Sequence, residues 1–321
     1  MVRATICAPY DAYAIKYAKK NGIRYEINIS KAKVSGLKAS YVYNGKAQEP
    51  KVTVKLGSQK LKKDRDYSIT YHNNKKAGTA TAEINGMGDY VGTITLKFKI
   101  TLPQKGAKLT DSKTKQIYSV TKAGSAVAFA DAKNTNKTTL VIPSTIKIGG
   151  ITYKVTSVAN NAFKNNKKLK KVTISGNITS IGAGAFQGCT ALRTVVIGSK
   201  VKTIGAKAFY GCKKMTAVTL GKNVTTIGNS AFANCTSVQK ITIPAKVEKL
   251  GSKAFYNCTK LVAVTIQTEK LTSKNIGSKV FTNVGKNNYK KLAVKVPKTK
   301  LSLYKKIFKQ KGLSSKSKIS K

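Results

Sequence analysis

The residues able to do chemistry are few in this 321-residue chain, and most fall on one period. Cys189, Cys212, Cys235 and Cys258 are spaced 23 residues apart, and Cys7 stands alone. Zinc sites draw on C-x-x-C pairs or neighbouring histidines. The sequence has neither beside these cysteines, so no metal site is expected. If the period means stacking, equivalent cysteines lie about one strand spacing apart, roughly 5 Å. That distance suits a disulfide, but side chains pointing the same way suit its dihedral poorly. The expectation is a buried column of free thiols acting as small hydrophobes, with disulfides between neighbours as the alternative.

Other catalytic chemistry has little to work with. His72 is the single histidine, so any Ser-His-Asp or Cys-His scheme must pass through it. It precedes a polar turn with no nucleophile near it in sequence, and it reads as structural. No acidic residue occurs between Ala132 and Val247, which removes paired-carboxylate hydrolysis and carboxylate-bound cations from that stretch. Asp64-Arg65-Asp66 offers two carboxylates, too few for calcium, and reads as a solvated loop. No catalytic residue and no cofactor are expected.

Charge is the other conspicuous feature. The chain carries 61 Lys+Arg against 11 Asp+Glu, a net charge of +50. Residues 1–100 hold 19 basic and 7 acidic groups, a net of +12; residues 101–321 hold 42 and 4, a net of +38. Only Arg3, Arg24, Arg65 and Arg193 are arginines. Lysine is a hydrated point charge, and the planar fork that reads bases or grips phosphate bidentately belongs to arginine. The surface is therefore diffusely cationic. It is either a solubilising coat or an attractor for an anionic polymer such as wall teichoic acid, acidic glycan or nucleic acid. The hydrophobic fraction is 41%, which suits a folding chain of about two domains. No stretch reaches the roughly 20 apolar residues of a membrane span.

The elements that position these residues follow from a repeat. Five units of 23 residues start at Val155, Ile178, Val201, Val224 and Val247. Gly recurs at Gly182, Gly205, Gly228 and Gly251. Ala-Phe recurs at Ala162-Phe163, Ala185-Phe186, Ala208-Phe209, Ala231-Phe232 and Ala254-Phe255, and an apolar site follows at Leu169, Leu192, Met215, Val238 and Leu261. Each unit ends in an alternating strand with inward pairs Val172/Ile174, Val195/Ile197, Val218/Leu220, Ile241/Ile243 and Val264/Ile266. A degenerate sixth unit begins at Ile276-Gly277, after an insertion near Glu269–Lys274 that predicts a bulge or loop. One unit cannot bury its own Phe and Val/Ile; stacked units bury them as ladders, which is a solenoid.

This register resembles leucine-rich repeats of the bacterial surface-antigen (BspA-like) type, I-G-x-x-A-F-x-x-C-x-x-L-x-x-V-x-I. The first unit departs from it, with Ala159 and Asn166 where Gly and Cys are expected. Residues 31–101 alternate with period 2 between turn signals at Asn44-Gly45, His72-Asn73-Asn74 and Asn85-Gly86. The segment looks like the immunoglobulin-like modules of Gram-positive surface proteins. The fold class is then mainly β: a small immunoglobulin-like β-sandwich followed by a leucine-rich-repeat solenoid of short strands and short helical turns.

The ends share a plan. Thr5–Cys7 reads as a strand, Pro9 follows, Asp11 caps a helix Ala12–Asn21, and Gly22 closes it. Val294–Val296, Pro297, a helix Leu303–Lys311 and Gly312 repeat this order. The domains expected are a strand-helix remnant of a preceding array (1–30), the sandwich (31–101), an amino-terminal solenoid cap (102–154) with Leu140–Ile148 and Ile151–Val155 as a hairpin, the repeats (155–297), and a helical cap with a Lys-rich tail (298–321). This shared plan leads to the expectation of an upstream array, which would also carry the export signal, residues 1–30 holding no signal-peptide core.

The resemblance implies a non-catalytic bacterial protein, secreted or at the cell surface or wall, acting in adhesion. Its partner is a host or microbial surface protein or, alternatively, an anionic wall polymer; it is expected to be monomeric and without membrane insertion. Nonspecific nucleic-acid binding is a further alternative, opposed by scarce arginine and the lack of a recognition motif. The exposed strand face would carry the ligand through Lys171, Thr173, Thr194, Val196, Thr219, Lys240, Thr242 and Thr265. A net of +38 on residues 101–321 should repel itself. The melting temperature of this half is therefore expected to rise between low and moderate salt in a thermal scan; a flat trend would show that its lysines are already dispersed.

Overall fold

The computed structural model describes residues 5–8, 13–131, 137–174 and 176–321. They form two compact units, Met1–Pro103 and Gln104–Lys321. Pro9, Asp11 and Ala12 of the expected amino-terminal helix start lie outside the described residues.

In the first unit a four-stranded sheet and a three-stranded sheet share one core. The first contains Ser40–Val42, Thr93–Thr101, Gly78–Gly86 and Tyr67–His72, in that order; the second contains Lys33–Ser35, Thr53–Leu56 and Gln59–Lys60. Val54, Leu56, Leu61, Tyr67 and Ile84 close on one another between them. A parallel sheet of Ile6–Ala8, Tyr25–Asn28 and Tyr90–Val91 adds Ile27 to this core, with Ile15 of helix α1 (Tyr13–Lys20). The segment 1–30 thus includes a second strand, Tyr25–Asn28, that ties it to the unit. Asn85-Gly86 is not a turn: it ends strand Gly78–Gly86, and the chain reverses at residues 87–89. Gly86 serves close approach there, since a Cβ would stand 2.6 Å from the Tyr90 carbonyl carbon.

The second unit is a stack of coils. Strands Lys171–Ile174, Thr194–Ile197 and Ala217–Thr219 pair in parallel with a 23-residue offset, Val172 beside Val195 beside Val218. A second parallel ladder, Ser180–Ile181, Thr203–Ile204, Thr226–Ile227 and Lys249–Leu250, runs beside the core in the same register. Among the described residues of 178–266 no helix lies between the ladders, against the expected short helical turns; a 3-10 helix, Lys286–Lys291, occurs only in the last unit. The Ala-Phe segments are successive i→i+3 turns whose alternate N–H groups leave the coil. Ala185, Gln187 and Cys189 donate to Gly182, Gly184 and Phe186 within the coil, whereas Gly184, Phe186 and Gly188 donate to Ala206, Ala208 and Tyr210 of the next.

Two left-handed residues per coil stop helix formation. One column is Asn161, Gly184, Lys207, Ser230 and Lys253; the other is Asn165, Gly188, Gly211, Asn234 and Asn257, all with φ between 54° and 70°. Left-handed geometry suits Gly and Asn, which explains the Asn and Gly preceding each Cys. The recurrent Gly205 has a different reason. A Cβ there would meet Ala183 N and Gly182 C at 2.7 Å, both backbone atoms of the neighbouring coil.

The aromatic ladder is longer than the repeat. Phe163, Phe186, Phe209, Phe232 and Phe255 stack at centroid distances of 4.7–5.5 Å. Phe129 extends it at the amino end (5.1 Å), and Phe281 and Phe308 extend it at the carboxyl end. Phe308 comes from helix α2 (Leu301–Gln310), which buries Tyr304, Ile307 and Phe308. The Tyr304 hydroxyl donates to the Thr268 carbonyl (2.9 Å) and accepts from Leu271 N (3.2 Å), pinning the inserted loop. The residues expected as a Lys-rich tail add a strand, Lys318–Ser320, parallel to Ala293–Lys295. At the amino end, Leu140–Ile148 is two strands. Thr145–Ile148 forms the hairpin with Ile151–Val158 across Gly149-Gly150, while Thr139–Ile142 opens the strand ladder beside Lys171–Ile174. Pro143 sits at the break.

The two glycine columns separate by experiment. Gly205→Ala should destabilise the second unit by about 1–3 kcal/mol, the range for forcing atoms into a packed core. Gly211→Asn should be near neutral, because a Cβ there meets nothing within 4 Å and Asn holds the same position in other coils. Denaturant melts of both variants check the contrast.

Candidate binding face

The eight residues expected to carry a ligand fall in two registers of one sheet face. Lys171 stands beside Thr194 and then Ala217; Lys240 stands beside Ala263. Thr173 stands beside Val196 and Thr219; Thr242 stands beside Thr265 and Lys295. Alternate residues of these strands point inward, where Val172, Ile174, Val195 and Ile197 are at most 2% exposed. Alternation therefore leaves this Thr- and Lys-bearing row outside. Lys171, Thr219, Lys240 and Thr242 are exposed; Thr173, Thr194, Val196 and Thr265 are half-buried between their neighbours. Thr139 and Val141 continue the face at one end and Lys295 and Ser320 at the other. Val141 is 59% exposed.

The ladder is interrupted between Ala217–Thr219 and Lys240–Ile243. Gly198 N donates to Ile174 O and Gln267 N to Ile243 O. Pro244 occupies the equivalent position, and proline has no N–H to give to Leu220. Leu220, expected inward, is accordingly only half-buried.

The lysines obey a rule that the 23-residue period makes legible. In units 155–269 a basic residue is followed one coil later by a neutral one, except where Arg193 follows Lys170 and the acidic Glu269 follows Lys246. Lys168, Lys214 and Lys260 alternate with Ala191 and Ser237, Lys167 and Lys213 flank Thr190, and Lys207 and Lys253 flank Ser230. Two coils separate such lysines by roughly 10 Å, about one Debye length at 0.1 M salt, so repulsion along each column is limited. The intervening polar residues also hold the amines: Lys200 Nζ donates to Asn177 Oδ1 (3.0 Å) and Lys246 Nζ to Asn223 Oδ1 (2.7 Å).

The cysteine column faces inward. Cys189, Cys212, Cys235 and Cys258 are free and at most 1% exposed, whereas Cys7 is free and exposed. Each buried Sγ–H donates to a phenylalanine carbonyl one coil earlier: Cys189 to Phe163, Cys212 to Phe186, Cys235 to Phe209 and Cys258 to Phe232, at 3.0–3.2 Å. Burial pushes the Cys189 and Cys258 thiols up to about 12 and raises Cys235 as well. These thiols are structural donors and poor nucleophiles.

In the first unit Asp66 is not solvated. It is 4% exposed and takes a bidentate pair from Arg65 at 2.7 and 2.9 Å, with Lys62 N donating to it at 2.8 Å. The Arg65 guanidinium chiefly holds its carboxyl below the usual range. His72 lies 3.6 Å from Glu83 across the strand pair. Among the described residues no group of three His, Cys, Asp or Glu is placed to hold a metal, and no helix is long and apolar enough to cross a membrane.

Residues 156–289 match the family described as BspA type leucine rich repeat region, in six copies. No curated protein matches the chain. Among solved structures, it is similar to a leucine rich cell surface protein of Faecalibacterium prausnitzii A2-165, at 25% identity over 56% of this chain and 53% of that one, with a TM-score of 0.47. The match thus spans about half the length of that protein. The T. pallidum leucine rich repeat protein is 22% identical over 62% of this chain and 96% of its own, TM-score 0.47. The pneumococcal vaccine antigen PcpA is 19% identical over 60% and 65%, TM-score 0.41.

The thiol column has two measurable consequences. With native protein at pH 8, a thiol reagent should label Cys7 alone, and all five cysteines should label after unfolding without reductant; fast native labelling of a second thiol would contradict the packing. Stability should also fall as pH rises from about 8.5, because unfolded thiols ionise near there while buried Cys189, Cys235 and Cys258 stay protonated. The limiting slope is about 1.4 kcal/mol per pH unit for each of these thiols. Denaturant melts between pH 8 and 10 should show this slope, and replacing Cys189, Cys235 and Cys258 with alanine should flatten it.

Proposed function

We propose that these BspA-type repeats form a non-catalytic binding module of a bacterial protein that works outside the cell, secreted or at the surface or wall, in adhesion. The observation that carries the reading is the outward strand face. Strands in 23-residue register present Thr173, Val196, Thr219, Thr242 and Thr265 in one row and Lys171, Thr194 and Lys240 in the row beside it. The core beneath holds this surface rigid, so a partner can dock on it with little ordering cost. A protein partner on a host or microbial surface suits a flat polar face of this kind, engaged by a monomer. The sandwich-like first unit acts as a spacer, and its immunoglobulin-like character is part of the same proposal.

A second reading has its own observation. The lysines of units 155–269 are dispersed across several columns of the solenoid and are not gathered on the strand face. That arrangement suits diffuse attraction to an anionic wall polymer, whose affinity falls steeply with salt.

Binding of the full chain to immobilised matrix protein and to purified teichoic-acid-bearing cell wall, across a salt series, separates the two readings. Thr219→Asp with Thr242→Asp should weaken matrix-protein binding about tenfold or more, equivalent to about 1.4 kcal/mol, and leave the melting temperature unchanged. Matrix binding that survives high salt and is lost in this variant supports the face. Wall binding that dominates and collapses with salt, indifferent to the variant, supports the lysine coat.

A further inference from the structure

Two segments of the chain are built to one plan. At the carboxyl end, strand Ala293–Lys295 leads through Pro297 to α2. Gly312 (φ 98°) follows the helix by two residues, and strand Lys318–Ser320 returns parallel to the first, Ala293 opposite Lys318. Near the amino end, strand Ile6–Ala8 leads to α1. Gly22 (φ 64°) again follows the helix by two residues, and strand Tyr25–Asn28 returns in parallel, Ile6 opposite Tyr25. Two backbone bonds at the helix ends agree. Asn21 N donates to Tyr17 O and Ile23 N to Ala18 O; Lys311 N donates to Ile307 O and Leu313 N to Phe308 O. Counted from the glycine, the donor and acceptor positions are identical.

The segments differ in what covers them. Strand Ala293–Lys295 lies between Lys318–Ser320 and Ala263–Ile266 of the preceding coil. Val294, Val296 and Ile307 are 1%, 5% and 3% exposed beneath that coil. Strand Ile6–Ala8 pairs only with Tyr25–Asn28 among the described residues, so its other edge is open. Ile6 and Ala8, which alternate as Val294 and Val296 do, are half-buried. Tyr17 matches Ile307 counted from the closing glycine and is 50% exposed, whereas Tyr13 matches Leu303, itself 43% exposed on α2. A strand edge unpaired among the described residues, beside an uncovered tyrosine, marks a surface made for pairing. The chain itself shows what fits such a surface, because the end of a repeat array occupies the matching face of the second segment.

We infer that residues 6–28 are a second carboxyl-terminal solenoid cap, whose unpaired strand edge and Tyr17 receive the last coil of another array of this repeat, arriving from the amino-terminal side. The arriving coil adds a parallel strand to Ile6–Ala8 and lays its apolar end on α1, as coil 247–266 meets the segment after Leu292. Residues 6–28 thereby close one array while Ile15 and Ile27 anchor them to the sandwich-like unit that follows.

The test grafts a second copy of residues 104–293 directly ahead of Ile6 in the full chain. Nitration of Tyr17 should be lost in the graft while Tyr13 stays reactive as an internal reference, and Tyr17→Ser should lower the melting temperature of the grafted array while leaving the ungrafted chain unchanged. A reciprocal variant replaces residues 294–321 with a copy of residues 6–28; its repeats should melt as cooperatively as the parent's, unlike a chain stopped after Ala293. A Tyr17 that stays fully reactive beside a folded graft, or a reciprocal variant that melts like the truncated chain, would overturn the inference.

Discussion

Everything in the second unit depends on coils approaching one another at the distance of a parallel sheet. The contact is made by backbone as much as by side chains. Strand bonds such as those joining Val172, Val195 and Val218 hold one side. On the other side alternate amides of the turn segment, Gly184, Phe186 and Gly188, reach the next coil. That spacing admits no Cβ at Gly205 or Gly228. It places phenylalanine rings about 5 Å apart and directs each cysteine thiol to a carbonyl of the coil before it. The period of 23 residues is the length of chain that returns every atom to this contact.

Stacking also shapes the surface. A column of identical lysines would repeat a charge every strand spacing, and the chain avoids this by placing Ala, Ser, Thr or Asn between them. The result is a protein of net charge +50 whose repeats, Lys170 and Arg193 apart, stack without like charges facing one another across neighbouring coils. The same geometry makes an outward face, in two successive sheets, from residues distant in sequence. Such a face is a candidate ligand surface because its rigidity comes from the core and not from any partner.

Much of this was legible in advance, because repetition averages out the ambiguity of single segments. The Ala-Phe positions, the inward strand pairs and the outward row could each be read five times over, and the thiol column four times. Apart from the turn segments, the readings that needed revision lie where the pattern occurs once. The turn segments looked helical, and the left-handed columns through Gly184 and Gly188 prevent it. Asp66 seemed solvated, yet Arg65 beside it supplies the bidentate pair that lets it be buried. Phe129 and Phe308 carry no repeat signature, although they end the aromatic ladder.

The sequence by itself determined the period, the inward and outward sets, the basic balance and the capping glycines Gly22 and Gly312. These follow from local chemistry: side-chain alternation, backbone conformations open to glycine, and charge that can be counted. Tertiary structure alone decided which segments outside the repeat join the stack, where strand Lys318–Ser320 pairs, and how Tyr304 pins the loop after Ile266. It also decided that the two terminal helices differ in cover, α2 buried under a coil and α1 with its tyrosines exposed. Those outcomes rest on pairings between residues with no periodic relation, whose energy exists only when the coils are already in place.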